Sequence, residues 1–115
     1  MSIRRIVPNT ASDHPAQNKE FYTSFLGLDI AMKREEIIIF AEPGSPTTQI
    51  SLIRPQTDIP HPDVSIEVDN VDAMFERAVN QGREVIYPIT DEPWGVRRFF
   101  VEDPNGTVIN ILSHL

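Results

Sequence analysis

The second half of this chain repeats the plan of its first. Ser12-Asp13 opens a helical stretch that ends at Gly27, and Asp69-Asn70 opens another that ends at Gly82. The two glycines lie about 55 residues apart in a chain of 115. Each helical stretch follows one short apolar strand and precedes three more strand-like runs. A period near half the chain length is a duplicated module, because a solenoid needs three or more units. Two βαβββ modules, over residues 1–56 and 61–115 of a single domain, predict an α+β fold with a curved mixed sheet, both helices on its convex face and a cleft on the other.

The helices carry their own punctuation. Ser12 or Asp13 is suited to cap the first, with Pro15 in its first turn where the missing N–H costs nothing. Phe21, Tyr22, Phe25 and Leu26 then form an apolar stripe at helical spacing, which reads as a core face. Asn70 caps the second helix, whose stripe is Val71, Met74, Phe75, Ala78 and Val79. Gly27 and Gly82 supply the left-handed residue after each helix.

The strand candidates are Ile3–Pro8, Leu28–Met32, Glu36–Ala41, Thr48–Ile53, Val64–Val68, Glu84–Ile89, Arg97–Glu102 and Thr107–Ser113. Glu42-Pro43-Gly44-Ser45-Pro46 is a turn, and the proline-rich stretch from Arg54 to Pro62 is an extended linker. Asp103-Pro104-Asn105-Gly106 closes the last hairpin. Taken as a four-residue turn, it sets Glu102 opposite Thr107, Phe99 opposite Asn110 and Arg97 opposite Leu112.

Charge and composition narrow the function classes. A formal net charge of −7 argues against a nucleic-acid partner, whose phosphates favour a basic surface. No apolar run approaches the ~20 residues of a membrane span. The first residues lack the apolar core of a signal peptide, so the cytoplasm is the expected compartment. With no cysteine, disulfides, thiolate metal sites and cysteine nucleophiles are excluded. There is no glycine-rich phosphate loop, nucleophile elbow or His-Glu-x-x-His motif. His14, His61 and His114 stand at a helix start, in the linker and near the terminus, places where histidines are usually solvated.

Three segments are similar to those of a known group. Phe21-Tyr22-Thr23-Ser24-Phe25-Leu26-Gly27-Leu28 resembles the helix end of the vicinal oxygen chelate superfamily, which includes glyoxalase I, bleomycin-resistance proteins and extradiol dioxygenases. Ser65-Ile66-Glu67-Val68-Asp69-Asn70-Val71-Asp72 resembles its fifth strand and second cap. Pro93-Trp94-Gly95 through Asp103-Pro104-Asn105-Gly106 resembles its final hairpin. The metal enzymes of that group generally place ligands on the first, fifth and eighth strands, typically His or Gln, then His, then Glu. Carried over by motif, these positions fall at Arg5 or Ile6, at Asp63 and at Asn110. Arginine and isoleucine are not ligands, asparagine offers only a neutral oxygen, and one aspartate is a poor anchor for a transition metal. The resemblance therefore implies a site without a metal or other cofactor.

In that register Asn110 shares the cleft face with Arg97, Phe99, Val101, Val108 and Leu112, and on the fifth strand Asp63, Ser65 and Glu67 join them. Apolar walls with a few polar groups suit a small molecule. The candidate ligand-binding residues are thus Asp63, Ser65, Glu67, Trp94, Arg97, Phe99 and Asn110. Arg97 equally suits a carboxylate pair that braces the sheet, and Trp94 equally suits a hydrophobic lid. No nucleophile, base and orienting partner can be named. The function expected is metal-independent small-molecule binding of the bleomycin-resistance and glyoxalase type, by a homodimer. The alternatives are a glyoxalase-, lyase- or isomerase-type enzyme with a non-standard metal site, and a structural or regulatory domain with an empty cleft.

Overall fold

Short apolar runs between proline- and glycine-marked turns become a mixed sheet of eight strands with two helices in the computed structural model, which describes residues 2–115. The fold is α+β, and both halves follow the βαβββ order. Contacts divide the chain into two units, one of residues 7–57 and one of residues 2–6 with 58–115. Strand β1 (Ile3–Ala11) therefore contributes to both.

In the first-half unit the strand order is β2 (Asp29–Lys33), β3 (Ile37–Glu42), β4 (Ser45–Ile53), then the end of β1. β2–β3 and β3–β4 are antiparallel, while Asn9–Ala11 run parallel to Ser51–Ile53. Ile38, Phe40 and Leu52 form its core, with Tyr22, Leu28 and Ile50 packed against them.

The helix of this unit departs from expectation. Neither Ser12 nor Asp13 caps it: α1 (Pro15–Glu20) starts after His14, and the Ser12 hydroxyl instead accepts the His14 N–H and the Asn18 amide. The helix then widens into a π-helical turn at Phe21–Phe25, with the Leu26 N–H bonded to the Phe21 carbonyl. A wider turn breaks the i, i+4 alignment on which a single stripe depends. Only Tyr22 reaches the core, stacked on Phe40 at 5.0 Å between centroids. Phe21, Phe25 and Leu26 are exposed.

In the second-half unit the order is β5 (Val64–Val68), β8 (Val108–His114), β7 (Val96–Glu102), β6 (Val85–Glu92), and the start of β1 lies beside β5. β5 and β8 are parallel, and the other two pairings are antiparallel. Helix α2 (Val71–Asn80) begins as expected, with the Asn70 side chain accepting the Ala73 N–H. Val71, Met74, Phe75 and Ala78 pack on Val68, Phe99 and Ile111, so one face of this sheet is the hydrophobic core.

The last hairpin differs by one residue from expectation. Glu102 stands opposite Val108, Phe100 opposite Asn110 and Arg97 opposite Ser113. The cause is the turn. Asp103 N–H donates to the Thr107 carbonyl and Gly106 N–H to the Asp103 carbonyl, so the loop proper has three residues, with Gly106 left-handed at φ 84°. The Asp103 carboxylate also accepts the N–H groups of Asn105 and Thr107. A one-residue slip moves every side chain to the opposite face.

Candidate functional site

The register decides which residues of the second-half unit share the face away from α2. Ser65 pairs with Asn110, Asn110 with Phe100, and Leu112 with both Glu67 and Arg98. Ser65, Glu67, Arg98, Phe100 and Asn110 therefore line one face. Phe99 is on the other, 1 % exposed and edge-on to Phe75 of α2 at 5.2 Å. Arg97 is also on the α2 side, where it donates to both carboxylate oxygens of Asp72 and of Asp91. These bonds hold Asp91 below its ordinary value and Arg97 above its own. So Arg97 and Phe99, expected in the cleft, instead brace and fill the helix side.

Asp63 precedes β5 and is exposed. Its N–H donates to the Val108 carbonyl, and its carboxylate accepts the Val108 N–H at 2.8 Å. It pins the start of β5 to β8. Glu67, by contrast, is nearly covered. One of its oxygens is 2.9 Å from Arg5 Nε, and the other lies 3.6 Å from His114 Nε2. Asn110 is 6 % exposed. Its amide nitrogen donates to the Ser65 hydroxyl at 3.0 Å, while its Oδ1 is buried with no hydrogen-bond donor among the described residues.

Arg98, the best-held cation of this face, is not among the residues expected from the sequence. Its Nε donates to Glu92 at 2.7 Å and its Nη2 pairs with the same carboxylate oxygen, which also accepts the Tyr87 hydroxyl. Three rings surround the guanidinium: Phe100 at 4.9 Å, Trp94 at 5.0 Å and Tyr87 at 5.3 Å. Trp94 thus stacks on a planar cation supplied by the protein itself. A pair buried to 13 % and 9 % exposure survives because hydrogen bonds and π faces replace its water. The signal available in the sequence was Arg98 alternating with Phe100, but it depended on the hairpin register.

The model of the glyoxalase/bleomycin resistance protein/dioxygenase superfamily matches residues 8–111. The chain belongs to that superfamily. Its fold is shared by a superfamily member from Vibrio splendidus 12B01, at a TM-score of 0.72 and 15% identity, covering 97% of this chain and 99% of that one. It is likewise similar to methylmalonyl-CoA epimerase from Mycobacterium tuberculosis, at 0.73 and 21% identity, with 98% and 87% covered. A hypothetical protein from Bacillus halodurans C-125 reaches 0.81 at 14% identity, with 100% and 96% covered. At such identities the likeness concerns the fold alone. No curated protein matches the chain.

Arg5 or Ile6, Asp63 and Asn110 are the positions to which the resemblance carried the ligands of the superfamily's metal enzymes. These residues do not fit a transition metal. Arg5 is a cation paired with Glu67, Ile6 is apolar, Asp63 is bonded to backbone, and Asn110 offers one neutral oxygen. Among the described residues no three His, Asp or Glu side chains gather where they could hold an ion.

Proposed function

We propose that this superfamily member is a metal-independent small-molecule-binding protein of the bleomycin-resistance and glyoxalase type. Its ligand sits on the face of the second-half unit that carries Ser65, Glu67 and Asn110. The observation that supports the reading is the Asn110 side chain, whose nitrogen is bonded to Ser65 while its buried oxygen has no donor among the described residues. Leaving a buried acceptor unmet costs about 1–3 kcal/mol, so an N–H or O–H of a bound molecule is favoured there. Glu67, screened by Arg5, adds a carboxylate oxygen beside it. Arg98 already occupies Trp94, so a ligand that stacks on this ring has to displace the guanidinium.

The test is a ligand-observed NMR screen of small amides, amines and alcohols, with metal analysis of the same preparation. Hits should shift the Asn110 side-chain amide signals and weaken at least about tenfold in a folded Asn110→Ala variant. Glu67→Gln should weaken those that carry an ammonium group. Hits indifferent to both changes overturn the site. One equivalent of zinc, nickel, iron or manganese per chain overturns the metal independence.

A further inference from the structure

A concave site lies entirely within the first-half unit, on the α1 side of its sheet. It is a groove of about 350 Å³ between α1 and the turn that joins β2 to β3. Its floor is apolar, because Ile38 and Leu52 stand opposite each other across β3–β4 and are 5 % and 3 % exposed. On the other side of Ile38, β2 sets Lys33 in the same cross-strand row. The row thus runs from a cation onto two buried aliphatic side chains.

Lys33 is one of four cations that line this groove, with Lys19, Arg34 and Arg54. The chain has ten lysines and arginines in all and a net charge of −7, so this grouping runs against the general charge. Among the described residues none of the four makes an ion pair, whereas Arg5, Arg97 and Arg98 all do. Two carboxylates, Glu35 and Glu36, also line the groove, and they leave the cations in excess. The arginine backbones are tied to that turn. Arg34 N–H donates to the Ile37 carbonyl at 2.8 Å, and Arg54 N–H to the Glu36 carbonyl at 2.9 Å. Both side chains therefore extend from backbone points fixed at the turn that joins β2 to β3.

We propose that this groove binds a small organic oxyanion, a carboxylate or phosphate monoester with a short aliphatic body. The aliphatic part lies on Ile38 and Leu52, and the oxygens meet Arg34, Arg54 and Lys33. Planar guanidinium groups present paired donors that match two oxygens of a carboxylate or phosphate, and unpaired cations have no partner to surrender first. The size is at the lower end for ligand pockets and suits a metabolite rather than a cofactor. The site is independent of the Asn110 face, which lies in the other unit.

The experiment is a titration of ¹⁵N-labelled protein with butyl phosphate, butyrate and 1-butanol, followed by amide shifts. Butyl phosphate or butyrate should move the signals of Lys33, Arg34, Ile38 and Arg54 at millimolar concentration, and the stronger of the two identifies the headgroup. Butanol should move them far less. Arg34→Ala with Arg54→Ala should weaken the anion at least about tenfold, and Lys33→Gln alone should weaken it measurably. All three positions are exposed or at strand ends, so circular dichroism should show native folding. Shifts spread over cationic residues throughout the chain, equal binding of butanol, or unchanged affinity in both variants would overturn the proposal.

Discussion

The guanidinium of Arg98 lies 5.0 Å from the centre of the Trp94 ring and at the same time bonds to Glu92. Trp94 is the sole tryptophan, so its fluorescence reports on this pair. Arg98→Met strands the Glu92 carboxylate and should destabilise the protein by about 3–5 kcal/mol in urea unfolding. Adding Glu92→Leu should recover much of that loss. Trp94→Ala should cost less, about 0.5–2 kcal/mol plus lost packing. If Arg98→Met is neutral, the pair is not structural.

Arg97 and Asp91 form the exposed counterpart of that pair. The bond from Arg97 lowers the Asp91 carboxyl below its ordinary value of 3.8. Its stabilising effect is therefore full above that pH and lost as acid protonates the folded state. Asp91→Asn lacks it throughout. Wild type and variant should differ modestly at neutral pH and converge as acid protonates Asp91 in the folded state, below its ordinary value of 3.8, as followed by thermal unfolding at stepped pH. A gap that widens in acid would contradict this sign.

Gly106 fixes the hairpin register. A methyl group there would approach nothing closer than a Glu102 carboxylate oxygen at 3.6 Å, an ordinary contact. The penalty for Gly106→Ala is then conformational, about 1–2 kcal/mol for a left-handed alanine. Gly106→Asn should cost less, because asparagine tolerates this region. Urea midpoints of the two variants check the order.

The assembly we propose is a homodimer. Phe25 is 74% exposed, with Phe21 at 49% and Leu26 at 50%, an apolar grouping that favours cover by another surface. Sedimentation should give about twice 13.0 kDa, and Phe25→Glu should shift it towards the monomer. A monomer at micromolar wild-type protein refutes the assembly.

Local chemistry made most of the fold legible in advance. The strand Val64–Val68 has the boundaries expected from its alternation, and the Asn70 cap follows from its side chain. The site was less legible, because face assignments depend on long-range register. A three-residue loop between Asp103 and Thr107, where four residues were expected, was enough to exchange Arg97 and Phe99 for Arg98 and Phe100. The π-helical turn was hidden for a similar reason: a stripe at i and i+4 presumes the regular α-helical pitch.

Strand β1 has a consequence for synthesis. Its first residues belong with a unit whose other members begin at residue 58. Arg5 bonds to Glu67, and Ser2 N–H donates to the Asp69 carboxylate. On a ribosome adding about 5–20 residues per second, those partners arrive several seconds after residues 2–6 have been made. Residues 2–6 must therefore stay uncommitted while the segment behind them gains the means to fold. Bulk attached directly ahead of Ser2 would therefore burden the unit that resumes at Asp58 rather than the segment it adjoins in sequence.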